Sequence, residues 1–318
     1  MYLGFFGLGE YPYANGCDEK YYYESHLHAE ALSNMLYTIK QRRGMVLITG
    51  DVGSGKTYLG GVLASRLDLS TDVATISHPP GSARQLLRAV LTGLGASPHK
   101  DADRQVLAEE AETVLVKLAC RNRTVALVLD ECQGLSDEAM EEVRLMWNWE
   151  RQGQRLIQII LIGQPELRRR LQEPRWESLR QRIILSYHLG RLSAQATAKY
   201  ILHRRQVAAL GDSPLRFTLE AMKLIYRTTK GIPRLINSLC DNALLVAYGR
   251  GQHKITSDIV ETVVRDMTCW SLNRLPGQLA LTDRRSGLAW LAEGEAAGLD
   301  DPPAESQWFP DTEFSAEA

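Results

Sequence analysis

Residues Gly50-Asp51-Val52-Gly53-Ser54-Gly55-Lys56-Thr57 stand between two segments of opposite character. Before them, Met45-Val46-Leu47-Ile48-Thr49 is a short apolar, β-branched run, the pattern of a buried strand. After them, Lys56 to Leu67 is compatible with a helix. A strand feeding a glycine-rich loop and then a helix aims backbone N–H groups and the positive helix end at one point, which suits a polyphosphate. The three glycines let the backbone curl around the anion without Cβ clashes. Lys56 is then placed to reach the β- and γ-phosphates, and Thr57 to offer its hydroxyl to Mg²⁺. Gly50 through Thr57 are therefore expected to bind a nucleoside triphosphate.

A second buried-strand pattern, Thr124-Val125-Ala126-Leu127-Val128-Leu129, ends in Asp130-Glu131. An aspartate at the C-terminal edge of a parallel strand lies where α/β sheets bind ligands. It can hold Mg²⁺ through water. The adjacent Glu131 can orient and polarise an attacking water, because phosphoryl transfer depends mostly on positioning and charge stabilisation. With both carboxylates present, hydrolysis of ATP is expected as well as binding.

Strands alternate with helices up to about residue 190. Helices are expected over His28–Gln41, Ala83–Leu94, Asp103–Cys120 and from Ser136 to about Glu150, with further strands at Val73–Ser77, Leu156–Gly163 and Ile183–Tyr187. This alternation predicts an α/β fold with a doubly wound parallel sheet and right-handed crossovers. From about Leu192 the pattern turns to helices alone, at Ala194–Ala208, Leu219–Thr229, Pro233–Tyr248 and Ser257–Met267, a small helical lid domain. The expected division is an N-terminal aromatic segment and helix (1–44), the phosphate-loop core (45–190), the helical lid (191–268) and an acidic, disordered tail (269–318).

In a chain of 318 residues, the five cysteines show no paired metal spacing, which points to a reduced, cytoplasmic compartment. No apolar run is long enough to span a bilayer, and the N-terminus lacks the marks of a signal peptide. The net charge of −1 hides an asymmetry. Residues 287–318 hold eight acidic residues and no Lys or Arg, which leaves the rest at +7. The tail is read as a solvated segment that either shields a basic surface or docks a partner through Trp308-Phe309. The aromatic cluster in residues 1–25 either packs beside adenine or covers the sheet edge.

Four further stretches stand out: Phe5-Phe6-Gly7-Leu8, Leu161-Ile162-Gly163-Gln164-Pro165-Glu166-Leu167, Leu179-Arg180-Gln181-Arg182-Ile183 and Gly231-Ile232-Pro233-Arg234-Leu235-Ile236-Asn237. With them, this order of parts resembles the AAA+ ATPases, and the details look most like the ExeA/GspA group, whose named members are secretion-pathway ATPases. The resemblance implies that Gln164 senses the γ-phosphate and helps place the water. It implies that Arg180 or Arg182 serves a neighbouring subunit as an arginine finger, for which a planar, permanent cation is suited. It makes Arg234 a second sensor that links the lid to the γ-phosphate. His78 falls where the family often has a polar residue restraining the catalytic glutamate, though a helix cap or solvated turn is the simpler role for it. Better-known members continue into a membrane span and a peptidoglycan-binding domain, and neither is expected from the residues here.

Two functions follow from these readings. One is a homo-oligomeric ATPase that drives or switches assembly of an envelope, pilus or secretion machine through a protein partner. The other is an ATP-gated regulator of duplex DNA resembling the TnsC and TniB transposition ATPases. Arg168-Arg169-Arg170 and Arg204-Arg205 permit phosphate contacts, although no helix-turn-helix or zinc signature supports that reading. Gly60-Gly61 inside the first helix after the loop costs helix stability for no reason visible in the sequence.

Overall fold

The computed structural model describes residues 1–16 and 18–272, with side chains as far as Met267. Cys17, the Cys269 side chain and the expectations for the acidic tail from residue 273 on, Trp308-Phe309 included, lie outside that description. The described residues form two compact units, one made of residues 18–191 and the other of residues 1–16 together with residues 192–272.

The first unit begins with α1 (His26–Lys40), capped by the Ser25 side chain. β1 (Met45–Gly50), entirely buried, runs into the glycine-rich loop and α2 (Lys56–Arg66). Next come β2 (Thr71–Ile76), α3 (Ala83–Gly93), α4 (Arg104–Cys120), β3 (Thr124–Leu129) and α5 (Asp137–Met146). A two-residue hairpin, β4 (Glu150–Arg151) with β5 (Gln154–Arg155), precedes β6 (Gln158–Gly163), α6 (Pro165–Leu171), α7 (Glu177–Arg180) and β7 (Ile183–Leu189). The five long strands form one parallel sheet in the order β2-β3-β6-β1-β7. The fold is thus the mixed α/β architecture with a parallel central sheet that the alternation predicts. One apolar layer sets Leu86, Leu107, Val143 and Leu167 against Leu47, Leu127 and Ile159; the other sets Met35, Leu59 and Leu63 against Ile48, Val128 and Ile160.

The helix expected to run to Glu150 stops at Met146. The chain reverses there instead, because Gln152 (φ 51°) and Gly153 (φ 75°) both take the left-handed conformation that a tight hairpin turn requires. Gly60 also gains an explanation: a Cβ there would lie 3.1 Å from Ile162 Cδ1 and 3.7 Å from Val128 Cγ1, so glycine lets α2 sit close on the sheet. Gly61 faces open space, and nothing in the structure explains it.

In the second unit, α8 (Ala194–Ala208), α9 (Leu219–Thr229), α10 (Pro233–Gly249) and α11 (Ser257–Leu272) form the helical part. It is not purely helical: β8 (Arg216–Phe217) pairs in parallel with β9 (Lys254–Ile255), too short a match to show as strand periodicity. Residues 1–16 fold onto this unit. Tyr2, Phe6, Leu8 and Tyr13 are buried, the Tyr13 hydroxyl donates to the Ile201 carbonyl at 3.0 Å, and the Ser213 hydroxyl donates to the Phe6 carbonyl at 2.5 Å. These aromatics thus pack among helices of the second unit, whereas Tyr22 packs against the first unit's core. Arg204 is buried, donating to the Pro12 carbonyl at 2.6 Å and to the Ala14 carbonyl at 2.8 Å. The expectation that Arg204 meets a phosphate backbone is therefore corrected, since its guanidinium staples the N-terminal segment. Among the described residues no helix is long and apolar enough to cross a membrane.

Candidate functional site

β3, β6 and β1 are neighbours, paired at Leu129↔Leu161 and Thr49↔Gly163, so their C-terminal ends form one edge about 10 Å across. Three expected groups leave that edge side by side: Asp130-Glu131 from β3, Gln164 from β6, and Gly50 to Thr57 from β1.

The loop is shaped by its glycines. Gly53 (φ 82°) and Gly55 (φ 97°) take left-handed conformations, and a Cβ on Gly50 would lie 2.7 Å from the Leu189 carbonyl oxygen. Val52 is exposed at the loop tip, and Asp51 is tied to Arg191 at 2.8 Å. Ser54 is buried, and its hydroxyl has no hydrogen-bond partner among the described residues. Lys56 is only 5% exposed, and its ammonium donates to the carbonyls of Gly50 (2.8 Å) and Asp51 (2.9 Å). Thr57 is exposed in the first turn of α2. Glycines without room for a Cβ, an orphaned buried hydroxyl and a buried ammonium in one turn fit a polyphosphate. The donor types, with Thr57 and Asp130 on the same edge, fit a hard cation such as Mg²⁺.

Sequence reasoning missed the support beneath the loop. The buried His28 of α1 accepts at Nδ1 from the Ser25 hydroxyl (2.7 Å), and its other nitrogen bonds the Ser54 backbone. Its Nε2 lies 3.1 Å from where a Gly55 Cβ would be. Burial lowers its pKa from 6.5 to about 4, against a smaller upward pull from the Ser54 bond, so the imidazole is neutral. Only the neutral ring can accept from Ser25 while donating to the loop.

Asp130 is buried, and its Oδ1 accepts the Glu131 N–H at 2.8 Å. Glu131 takes a left-handed backbone (φ 53°, ψ 36°), a conformation costing of order 1–3 kcal/mol for a residue with a Cβ. Its Oε2 accepts from two side-chain amides, those of Gln133 and, at 3.2 Å, Gln164. The Gln133 Oε1 in turn accepts the Gln164 backbone N–H at 3.0 Å. Gln133 lies two residues past the carboxylate in a 3-10 turn, and periodicity gives no sign of it. His78 is solvent-exposed.

The remaining expected residues lie elsewhere. β7 runs parallel to β1, with Met45↔Ile183 at one end and Gly50↔Leu189 at the other. Arg180 and Arg182, just before Ile183, therefore sit roughly 20 Å of strand away from this chain's own loop. Arg180 is exposed and pairs with Glu177 at 3.0 Å. Arg182 is half-buried, lies 5.1 Å from the Trp147 ring centre and donates to Asn148 Oδ1 at 3.2 Å. Arg234 belongs to the second unit, exposed in the first turn of α10. Gly231 just before it must be glycine, because a Cβ there would lie 2.0 Å from the Leu192 carbonyl oxygen.

Comparison with known proteins agrees with this geometry. Residues 39–171 match the AAA domain family. CDC6P from Pyrobaculum aerophilum aligns with a TM-score of 0.63 at 13% identity, covering 93% of this chain and 86% of that one. The ORC2 protein from Aeropyrum pernix, solved as ADPNP-ADP complexes, aligns with a TM-score of 0.58 at 17% identity, covering 92% and 87%. At such identities these likenesses concern the fold alone. A sequence relative, General secretion pathway protein A from Aeromonas hydrophila, is 41% identical over 256 residues, which is 80% of this chain and 46% of the relative. The chain thus spans about half the length of that relative. A phosphate-type loop on a parallel sheet, the AAA match across it and this identity together make the chain a relative of General secretion pathway protein A built on an AAA domain.

Proposed function

We propose that the chain binds and hydrolyses ATP, and that it works as a homo-oligomer which drives or switches assembly of a secretion or envelope machine through a protein partner. The observation that carries the hydrolysis is the Glu131 carboxylate, held by two amides on the sheet edge that also bears the loop. Gly50 to Thr57 wrap the phosphates with backbone N–H groups, and Lys56 exchanges its loop carbonyls for phosphate oxygens. Thr57 and Asp130 would hold Mg²⁺, which supplies charge neutralisation at the phosphates when bound. Glu131 orients a water and draws on its proton, and Gln164 fixes the water's second hydrogen bond. Arg180 is the better finger: it is exposed and pairs with its neighbour Glu177, whereas Arg182 is half-buried and engaged by Trp147 and Asn148. Arg234 acts as the lid's sensor, the core passes to the lid at Leu192, and the chain works in the cytoplasm. The partner reading rests on the relationship to General secretion pathway protein A.

The test separates binding from turnover. Lys56→Ala should abolish ATP binding, while Glu131→Gln should bind ATP and lose turnover by orders of magnitude. Unchanged ATP affinity in a folded Lys56→Ala chain would sink the assignment.

A second reading, contact with duplex DNA, is favoured by one observation. A cavity of about 380 Å³ is lined by Arg42, Arg123, Arg151 and Arg155. It borders the start of β3, the sheet edge away from the loop. Arg123 pairs with Asp72 and Arg155 with Glu150. Arg42 and Arg151 have no carboxylate partner among the described residues. The run at Arg168–Arg170 is less available, since Arg169 pairs with Glu166 and Arg170 with Asp137. Under this reading duplex affinity falls steeply with salt and weakens in Arg151→Ala. Salt-independent or absent binding leaves the protein-partner reading.

A further inference from the structure

We infer that Gln133 is a positioning residue that fixes the Glu131 carboxylate relative to Gln164, an inference that rests on the ATPase reading above. The chain leaves β3 at Asp130, and the left-handed turn at Glu131 throws the next residues into a 3-10 turn, Cys132–Gly134. That turn brings the Gln133 side chain back over the sheet edge. Its amide faces two different groups at once. The NH₂ end donates to Glu131 Oε2, and the carbonyl end accepts the backbone N–H of Gln164 at 3.0 Å. A carboxylate only accepts and a backbone N–H only donates, so the amide is held in one orientation.

Gln164 closes the triangle by donating its own side-chain amide to the same Glu131 oxygen at 3.2 Å. The ends of β3 and β6 are thereby joined through one carboxylate oxygen. Gly163 makes room for this. A Cβ there would lie 3.0 Å from Gln133 Oε1 and 2.8 Å from Leu167 Cδ2, so any larger residue crowds the clamp. Cys132, between the two clamp residues, is fully buried and anchors the turn in the core. The geometry needs an amide at 133. A shorter side chain cannot span the gap, and a carboxylate would set a second negative charge against Glu131.

The role differs from that of a residue that binds nucleotide, because Gln133 acts on the water only through Glu131. Losing it should lower kcat and spare ATP affinity. A misdirected general base costs about 10- to 100-fold in rate, the scale set by ångström-level misplacement of a reacting group.

The experiment measures kcat and ATP affinity of the full chain across pH for wild type, Gln133→Ala and Gln133→Glu, with Glu131→Gln as the reference. In Gln133→Ala, kcat should fall about 10- to 100-fold at all pH values, with ATP affinity unchanged. Gln133→Glu should be the weaker enzyme at neutral pH, where its charge repels Glu131. It should regain activity relative to wild type as pH falls, because a protonated carboxyl can again donate to Glu131 while its carbonyl accepts from Gln164. A purely structural role would lower stability without that pH-dependent recovery. Wild-type kcat in Gln133→Ala, or a pH-independent deficit in Gln133→Glu, overturns the inference. If Gln133→Ala does not fold, the pH profile of Gln133→Glu decides alone. A wild-type chain without turnover removes both the clamp and the ATPase reading, whereas turnover lost in Glu131→Gln but kept in both Gln133 variants removes only the clamp.

Discussion

Acidifying the protein from pH 7 to pH 5 should weaken the unit that carries the glycine-rich loop, and one imidazole sets the size of the effect. His28 is 7% exposed, wedged between the Ser25 hydroxyl and the loop backbone at Ser54. Its pKa lies near 4 in the folded protein against the usual 6.5. Above pH 6.5 the ring is neutral folded or unfolded, and it imposes no pH-dependent cost. As pH falls from 6.5 towards 4, the unfolded chain takes up a proton that the folded one refuses, so the stability present at neutral pH is lost over that window. Linkage gives a loss of about 2 kcal/mol between pH 7 and pH 5 and about 3 kcal/mol in full. The contact that is lost is the one to Ser25 at the start of α1, because the protonated ring can no longer accept from that hydroxyl, while its bond to the Ser54 backbone survives. The assay is denaturant unfolding of wild type and His28→Gln at both pH values, since glutamine keeps a donor for the loop but cannot titrate. Wild type should lose about 2 kcal/mol more than His28→Gln on acidification. Equal losses in the two proteins would show that His28 is solvated and that the neutral ring does not brace the loop.

Two further outcomes are expected. Gly163→Ala should destabilise the protein by about 1–3 kcal/mol through overpacking against Leu167, and it should also lower kcat by displacing Gln133; calorimetry and steady-state kinetics check both, and an unchanged Tm would refute the crowding. If Arg180 acts on a neighbour's nucleotide, mixing Lys56→Ala with Arg180→Ala chains should restore ATPase activity that neither has alone, and a mixture no more active than its parts would count against it.

What the sequence made legible was whatever repeats along the chain or sits at a strand end. β1, β3 and β6 are short β-branched runs, so their positions and the groups leaving them, Gly50 to Thr57, Asp130-Glu131 and Gln164, could be read without coordinates. What escaped depends on contacts between residues far apart in sequence or on single dihedrals. His28 lies on the apolar face of α1, where periodicity marks it as one more core position; only its distance to Gly55 and Ser54 shows that it braces the loop. Gln133 follows a left-handed glutamate, and nothing in residue type foretells a positive φ at Glu131. Arg204 and Arg205 read as a basic patch because charge is legible and burial is not, yet Arg204 closes its donors on the carbonyls of Pro12 and Ala14, some 190 residues away in the chain. Conversely Arg42, Arg123, Arg151 and Arg155 are dispersed in sequence and converge only once the hairpin Glu150–Arg155 folds beside the start of β3. Charge that clusters in sequence is therefore a poor guide to charge that clusters in space, and the surfaces that matter for partners are the part of this protein that its sequence hides best.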